Sequence, residues 1–169
     1  MENGVLVAYA SKHGMTAEIA AKIGETLRQS GLQADVMPVK NVRGLSPYKA
    51  VVLGSAVYIA MWRKEIPKFL QENEGVLSER PLWIFSSGPL GEGDPVELLH
   101  GWRFPEAQRA LIERIKPRDI AVFHGAIDLK KMTLLEKWVL KRVKAQTGDF
   151  RDWAAINKWA AGIVDGLKK

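Results

Sequence analysis

Short strand-like runs alternate with helical patterns along this 169-residue chain, and that alternation restricts its fold more than any other feature. Residues 5–10 (Val-Leu-Val-Ala-Tyr-Ala) form a brief β-rich run. Residues 51–54 are continuously apolar, as in a strand buried on both faces. Runs at 34–39, 82–86 and 120–124 complete five expected strands. Between them, Ile19, Ile23 and Leu27 recur every four positions, widened by Ala20 and Ala21, and predict a helix over 15–30 that Gly31 stops. Helices are also expected over 64–72, where Pro67 suits a first turn, over 105–116, ended by Pro117, and over 153–167. Only 41–48 has little room for a helix and reads as loop or short turn. Right-handed crossovers then give an α/β, three-layer, doubly wound sheet of five parallel strands. Ligands bind such sheets beyond the carboxyl ends of the strands, which directs attention to the loops after Ala10, Gly54, Ser86 and His124.

Cysteine is absent, which removes disulfides, thiolate nucleophiles and thiolate-held zinc or iron–sulfur clusters. His13, His100 and His124 are far apart and form no metal-binding pair, so no metal site is expected and redox chemistry would need an organic cofactor. The net charge of +6 is local: six basic residues (Lys130, Lys131, Lys137, Lys141, Arg142, Lys144) face one acid, Glu136, within residues 130–144. The remainder is nearly neutral, which argues against a nucleic-acid binder. No apolar run approaches the roughly 18 residues of a membrane span, and the first residues lack the basic flank of a leader. A cytoplasmic protein of one domain over 1–169 is expected.

The first loop, Ser11, Lys12, His13, Gly14, Met15 and Thr16, runs directly into a helix. Two hydroxyls bracket a glycine above the N–H groups of a helix start, an arrangement that suits a phosphate. An ordinary strand–helix turn capped by Ser or Thr has the same residues. Rival signatures are missing: there is no GxGxxG and no GxxxxGK[ST]. Ala10-Ser11 and Gly54-Ser55 stand where a phospho-accepting receiver needs acids.

Residues 11–16 resemble the Ser/Thr-x-Thr-Gly-x-Thr phosphate loop of flavodoxins, with His13 replacing the middle threonine. Over essentially its full length the chain is similar to the flavodoxin-domain family that includes the menaquinone-dependent protoporphyrinogen IX dehydrogenases. The features shared are residues 5–16, the Val-Val-Leu-Gly-Ser-Ala-Val-Tyr run at 51–58, and a basic helical insertion at about 126–150 before an Asp-Trp-x-x-Ile helix. The resemblance implies strand order 2-1-3-4-5 and one flavin mononucleotide (FMN), its phosphate at 11–16. It places the flavin ring between Ala56, Val57, Tyr58 and Ile59 on one side and Ser87, Gly88, Pro89, Leu90, Gly91, Gly93 and Asp94 on the other. Tyr58 or Trp62 would stack on the ring or pack into the core. The glycines after the fourth strand let backbone approach a ligand closely. In electron-carrier flavodoxins a residue tolerant of positive φ often sits beside the ring. Residues 57–61 contain none, so they are expected to resist that conformation and to favour two-electron over one-electron exchange.

In the insertion, Met132, Leu135, Val139 and Val143 recur at helical spacing with Trp138 and Leu140. Two outcomes are open for this helix: its apolar stripe packs on the domain and its lysines are solvated, or it rests peripherally on the inner face of an anionic membrane through 130–144. A third role is a substrate-carboxylate contact from Lys130, Lys131, Arg63 or Arg103. The function expected is an FMN oxidoreductase with a small-molecule substrate and a quinone acceptor. The alternatives are a flavodoxin-type electron carrier, usually acidic and so at odds with +6, a nicotinamide-linked quinone reductase, and a module that has lost its flavin. No side chain stands out as a catalytic acid or base.

Overall fold

The computed structural model describes residues 3–144 and 146–169, leaving Met1, Glu2 and the insertion's Ala145 outside the description. The elements run β1 (Gly4–Ala10), α1 (Met15–Gln29), β2 (Gln33–Pro38), β3 (Tyr48–Tyr58), β4 (Met61–Trp62), α2 (Glu65–Glu72), α3 (Glu74–Glu79), β5 (Leu82–Ser87), α4 (Pro95–Leu98), α5 (Arg109–Ile115), β6 (Asp119–Phe123), β7 (Ala126–Ile127), α6 (Leu134–Arg142), β8 (Gly148–Asp149) and α7 (Trp153–Lys168). Five strands pair in parallel in the order β2-β1-β3-β5-β6, the expected 2-1-3-4-5 once the short β4 is set aside. Their carboxyl ends therefore lie along one edge, with the switch point at β1 and β3.

Alternation along each strand divides the core into two layers. Val5 and Val7, Ala50 and Val52, and Trp83 and Phe85 face α1 and α7, which bury Ile19, Ile23 and Leu27, and Ile156, Ala160 and Ile163. Leu6 and Ala8, Val51 and Leu53, and Leu82 and Ile84 face α2, α3 and α5 through Ile66, Leu70, Leu77 and Ile112. Gly54 is required by packing: a Cβ there would fall 2.0 Å from Phe85 Cζ on the neighbouring strand.

Two boundaries differ most from those expected. The third strand runs from Tyr48 to Tyr58 instead of 51–54, because beyond Gly54 it pairs with β5 and then with β4. The helix expected over 105–116 is a 3-10 turn at Glu106–Gln108 followed by α5, ending at a left-handed Lys116 before Pro117. Residues 126–150 are closed at their base by the antiparallel pair β7–β8, Ala126 opposite Asp149, with Phe150 N donating to Gly125 O.

Candidate functional site

After β1 the chain turns at once into α1. Gly14, the residue before the helix, has φ 86° and ψ −5°, a conformation that costs a glycine little. The Ser11 hydroxyl accepts from Gly14 N at 3.0 Å and closes the turn. No side chain caps α1, so the N–H groups of its first turn are left for an external acceptor at the positive end of the helix dipole. Thr16 is buried beneath, Lys12 is exposed, and His13 and Met15 are partly covered. Uncapped donors in a concave turn, with no carboxylate among residues 11–16, fit a phosphate.

The insertion reaches this turn. Glu136 Oε2 lies 2.8 Å from His13 Nε2 and 3.4 Å from Lys12 Nζ. Burial pushes the Glu136 carboxyl up, but hydrogen bonds from His13 and Thr133 outweigh it and hold the group below the usual carboxylate range. Thr133 caps α6 by accepting from Glu136 N at 3.2 Å. A Cβ built on Gly14 would stand 3.9 Å from Lys131 Nζ, so this ammonium hangs over the phosphate turn. At the base of the insertion, Arg151 donates to Asp149, to Glu18 and to Met15 O. Hydrogen bonds to Asp149 chiefly, and to Glu18, raise the Arg151 guanidinium further, while Arg151 holds Asp149 below its ordinary value against the opposing effect of burial.

The ring loops converge from β3, β5 and β6. Gly88 packs so closely on β3 that a Cβ would lie 3.0 Å from Val57 Cβ, and a Cβ on Gly125 would lie 3.1 Å from Gly88 O. Gly91 and Gly93 have φ of 110° and 105°, and the insertion's Gln146 is placed 3.0 Å from where a Gly91 Cβ would stand. His124 holds the loop in place: its Nδ1 is 3.2 Å from Pro89 O and its Nε2 2.6 Å from Gly93 O. Both partners only accept, so a doubly protonated ring can donate to both and a neutral ring to one. Gly125 N adds a bond to Pro89 O, and Gly88 N one to Phe123 O. The backbone from Ser87 through Pro89 and Leu90 to Gly93 is thus set at the sheet edge, whereas the Asp94 carboxylate caps α4 by accepting from Val96 N and Glu97 N.

On the β3 side, Ala56, Val57 and Tyr58 belong to the strand and not to a turn, and the turn itself is Ile59-Ala60 between β3 and β4. Tyr58 is 73% exposed and open to a ligand. Trp62 is core: it is 5% exposed and its Nε1 donates to Ser86 Oγ at 2.8 Å. The expectation that residues 57–61 refuse positive φ fails here, since Ile59 has φ 51° and Ala60 φ 56°. One of the two-residue hairpin turns that match strand twist holds both central residues left-handed, and the flanking pairs Val57–Trp62 and Tyr58–Met61 close that turn here. Of the outcomes open for α6, packing of the whole apolar stripe on the domain is not what the structure shows. Leu135, Val139 and Val143 are exposed, and the residues turned inward are Met132, Glu136 and Leu140. Of the remaining cations, Arg63 lies 3.6 Å from Glu65 and Arg103 donates to Ile120 O.

Two candidate loops, 11–16 and 88–94, are thus bridged by the insertion, while residues 56–59 flank the second through Val57. The contributions of His124, Gln146 and Arg151 carry no sequence signature. Among solved structures, the chain is similar to an archaeal flavodoxin with a TM-score of 0.65 and 13% identity, covering 98% of this chain and 99% of that one. It is also similar to rubredoxin oxygen:oxidoreductase of Desulfovibrio gigas with a TM-score of 0.63 and 16% identity, covering 98% of this chain and 36% of the other. In sequence it is 19% identical to a protoporphyrinogen IX dehydrogenase [quinone] of Escherichia coli (strain K12) across 94% of this chain and 93% of that protein. The family model for the flavodoxin domain matches residues 6–153. With that match over most of its length, the chain belongs to the flavodoxin-domain family, a family of FMN proteins.

Proposed function

We propose that this chain holds FMN and acts as an oxidoreductase of the quinone-linked protoporphyrinogen dehydrogenase type. The observation that carries this is the insertion, which reaches from Lys131 over Gly14 to Gln146 over Gly91. A protein that trades electrons with a protein partner gains nothing from such a roof, whereas an enzyme for a small molecule gains a walled pocket. When bound, FMN supplies a ring that accepts two electrons from a reduced substrate and passes them to a quinone. The chain's part is to bind and to orient. Ser11 and the first-turn amides of α1 hold the phosphate, and Lys131 adds a positive charge above it. Backbone amides from Leu90 to Asp94 would meet the polar edge of the ring, with His124 fixing their loop. Full-length similarity to the E. coli dehydrogenase supports the substrate class.

The left-handed Ile59-Ala60 turn favours a second reading, an electron carrier, because it removes the backbone argument against one-electron exchange. One assay separates the two. Purified protein should be yellow and release FMN on denaturation, and should oxidise protoporphyrinogen anaerobically with a menaquinone analogue as acceptor. A yellow protein inert in that assay but reducible by a flavodoxin reductase is the carrier; a colourless one that takes up no FMN is neither.

A further inference from the structure

We propose that the outer face of α6 is a docking surface for an anionic phospholipid membrane. Helices α1 and α7 bury the large residues of their apolar stripes, whereas α6 turns its own outward. Leu134 is 84%, Leu135 70% and Trp138 57% exposed, and six of the eleven exposed large apolar side chains among the described residues fall within 129–143. The inner side is already occupied, with Glu136 on His13 and Leu140 half-buried, so the helix cannot roll to hide the stripe.

Charge selects the occupant. Leu134, Trp138 and Arg142 follow one another at four-residue spacing on one face, and Lys137 and Lys141 flank it. Arg142 lies over the Trp138 ring at 5.3 Å, a pairing of amphipathic indole and cation suited to the level of lipid headgroups. Residues 130–144 carry +5, so two copies placed face to face would repel. An anionic lipid surface meets both demands, as its phosphates answer the lysines and its acyl boundary receives Leu134, Leu135 and Trp138. Glu136 then keeps the docked helix on the phosphate loop.

Flotation of the FMN-treated protein with vesicles tests this. Vesicles containing phosphatidylglycerol should carry the protein at low salt and release it at high salt, while pure phosphatidylcholine should carry little. The paired variant Leu134→Ser/Trp138→Ser, altered only at exposed positions, should bind at least about tenfold more weakly. Replacing Lys137, Lys141, Arg142 and Lys144 by Gln should weaken binding by about a hundredfold. Lipid should shift tryptophan emission to the blue in the wild type and not in Trp138→Phe. Absence of flotation at low salt, or variants that float like the wild type, overturns the proposal. So does a lipid-free dimer that needs Leu134 and Trp138. Flavin absorbance of the same samples reports the cofactor separately, so colourless protein that still floats counts only against the FMN reading.

Discussion

Lys131 stands above the turn made by Gly14, and its task is separable from that of the turn. If its ammonium meets the flavin phosphate, Lys131→Met should weaken FMN binding about tenfold, the size of one charge-assisted contact. Riboflavin, which lacks the phosphate, should bind both proteins equally. Fluorescence titrations with the two flavins check this; an equal loss for both would mean that Lys131 only shapes the loop. The turn itself was legible in the sequence because its parts are local, with Ser11, Gly14 and Thr16 falling within one helix start. Lys131 stood out in the sequence only as one of four cations that could meet a substrate carboxylate, with nothing to place it over Gly14. His124 read as the end of a strand, since nothing near it in sequence announces that Pro89 O and Gly93 O lie against its two nitrogens. Gly54 looked like one more residue of an apolar run until Phe85 was laid beside it by the strand register.

Element lengths were legible where burial sets them and misjudged where a neighbour does. The β3–β4 hairpin is the clearest case: Ile59 and Ala60 hold left-handed φ because Trp62, fixed to Ser86, and Arg63 N, bonded to Ser55 Oγ, pin the returning strand. Such strain costs on the order of 1 kcal/mol per residue. Ala60 is exposed, so Ala60→Gly should lose no packing and stabilise the fold by up to about 1 kcal/mol, read as a higher urea midpoint. An unchanged or lower midpoint would show that the turn is unstrained. At the other end of β3, Tyr48 reaches across Gly4 to donate to Asp35 on β2 at 2.8 Å. Burial first, then the hydrogen bond and charge of Asp35, pushes its phenol up to about 12. The fold favours the neutral phenol, so this contribution is whole below the ordinary value of 10.0 and is lost as pH rises towards 12. Urea midpoints should fall across that window in the wild type, whereas Tyr48→Phe, about 1 kcal/mol less stable at neutral pH, should lose less over the same range.

At the scale of the molecule, a nearly neutral sheet domain carries one strongly basic appendage, and the sequence separated the two by charge alone. What charge does not show is how the appendage is attached. Its base is closed by β7–β8 and tied by Arg151 to Met15 O at the start of α1, its helix rests through Glu136 on His13, and its Gln146 stands over Gly91. All three attachments lie at loops expected to hold FMN, so loop order and insertion order should be one equilibrium. A ligand that binds only the ordered form stabilises every part of it. Hydrogen exchange of the flavin-free protein should therefore find 11–16, 88–94 and α6 among the fastest regions, below β1, β3 and β5 in protection. Adding FMN should slow all three together, α6 included, although no residue of α6 need touch the flavin. Glu136→Gln should weaken the coupling, leaving the two loops protected by FMN while α6 exchanges as in the free protein. Protection confined to the loops in the wild type would mean that the insertion is a passive cover, joined to the domain only through its β7–β8 base.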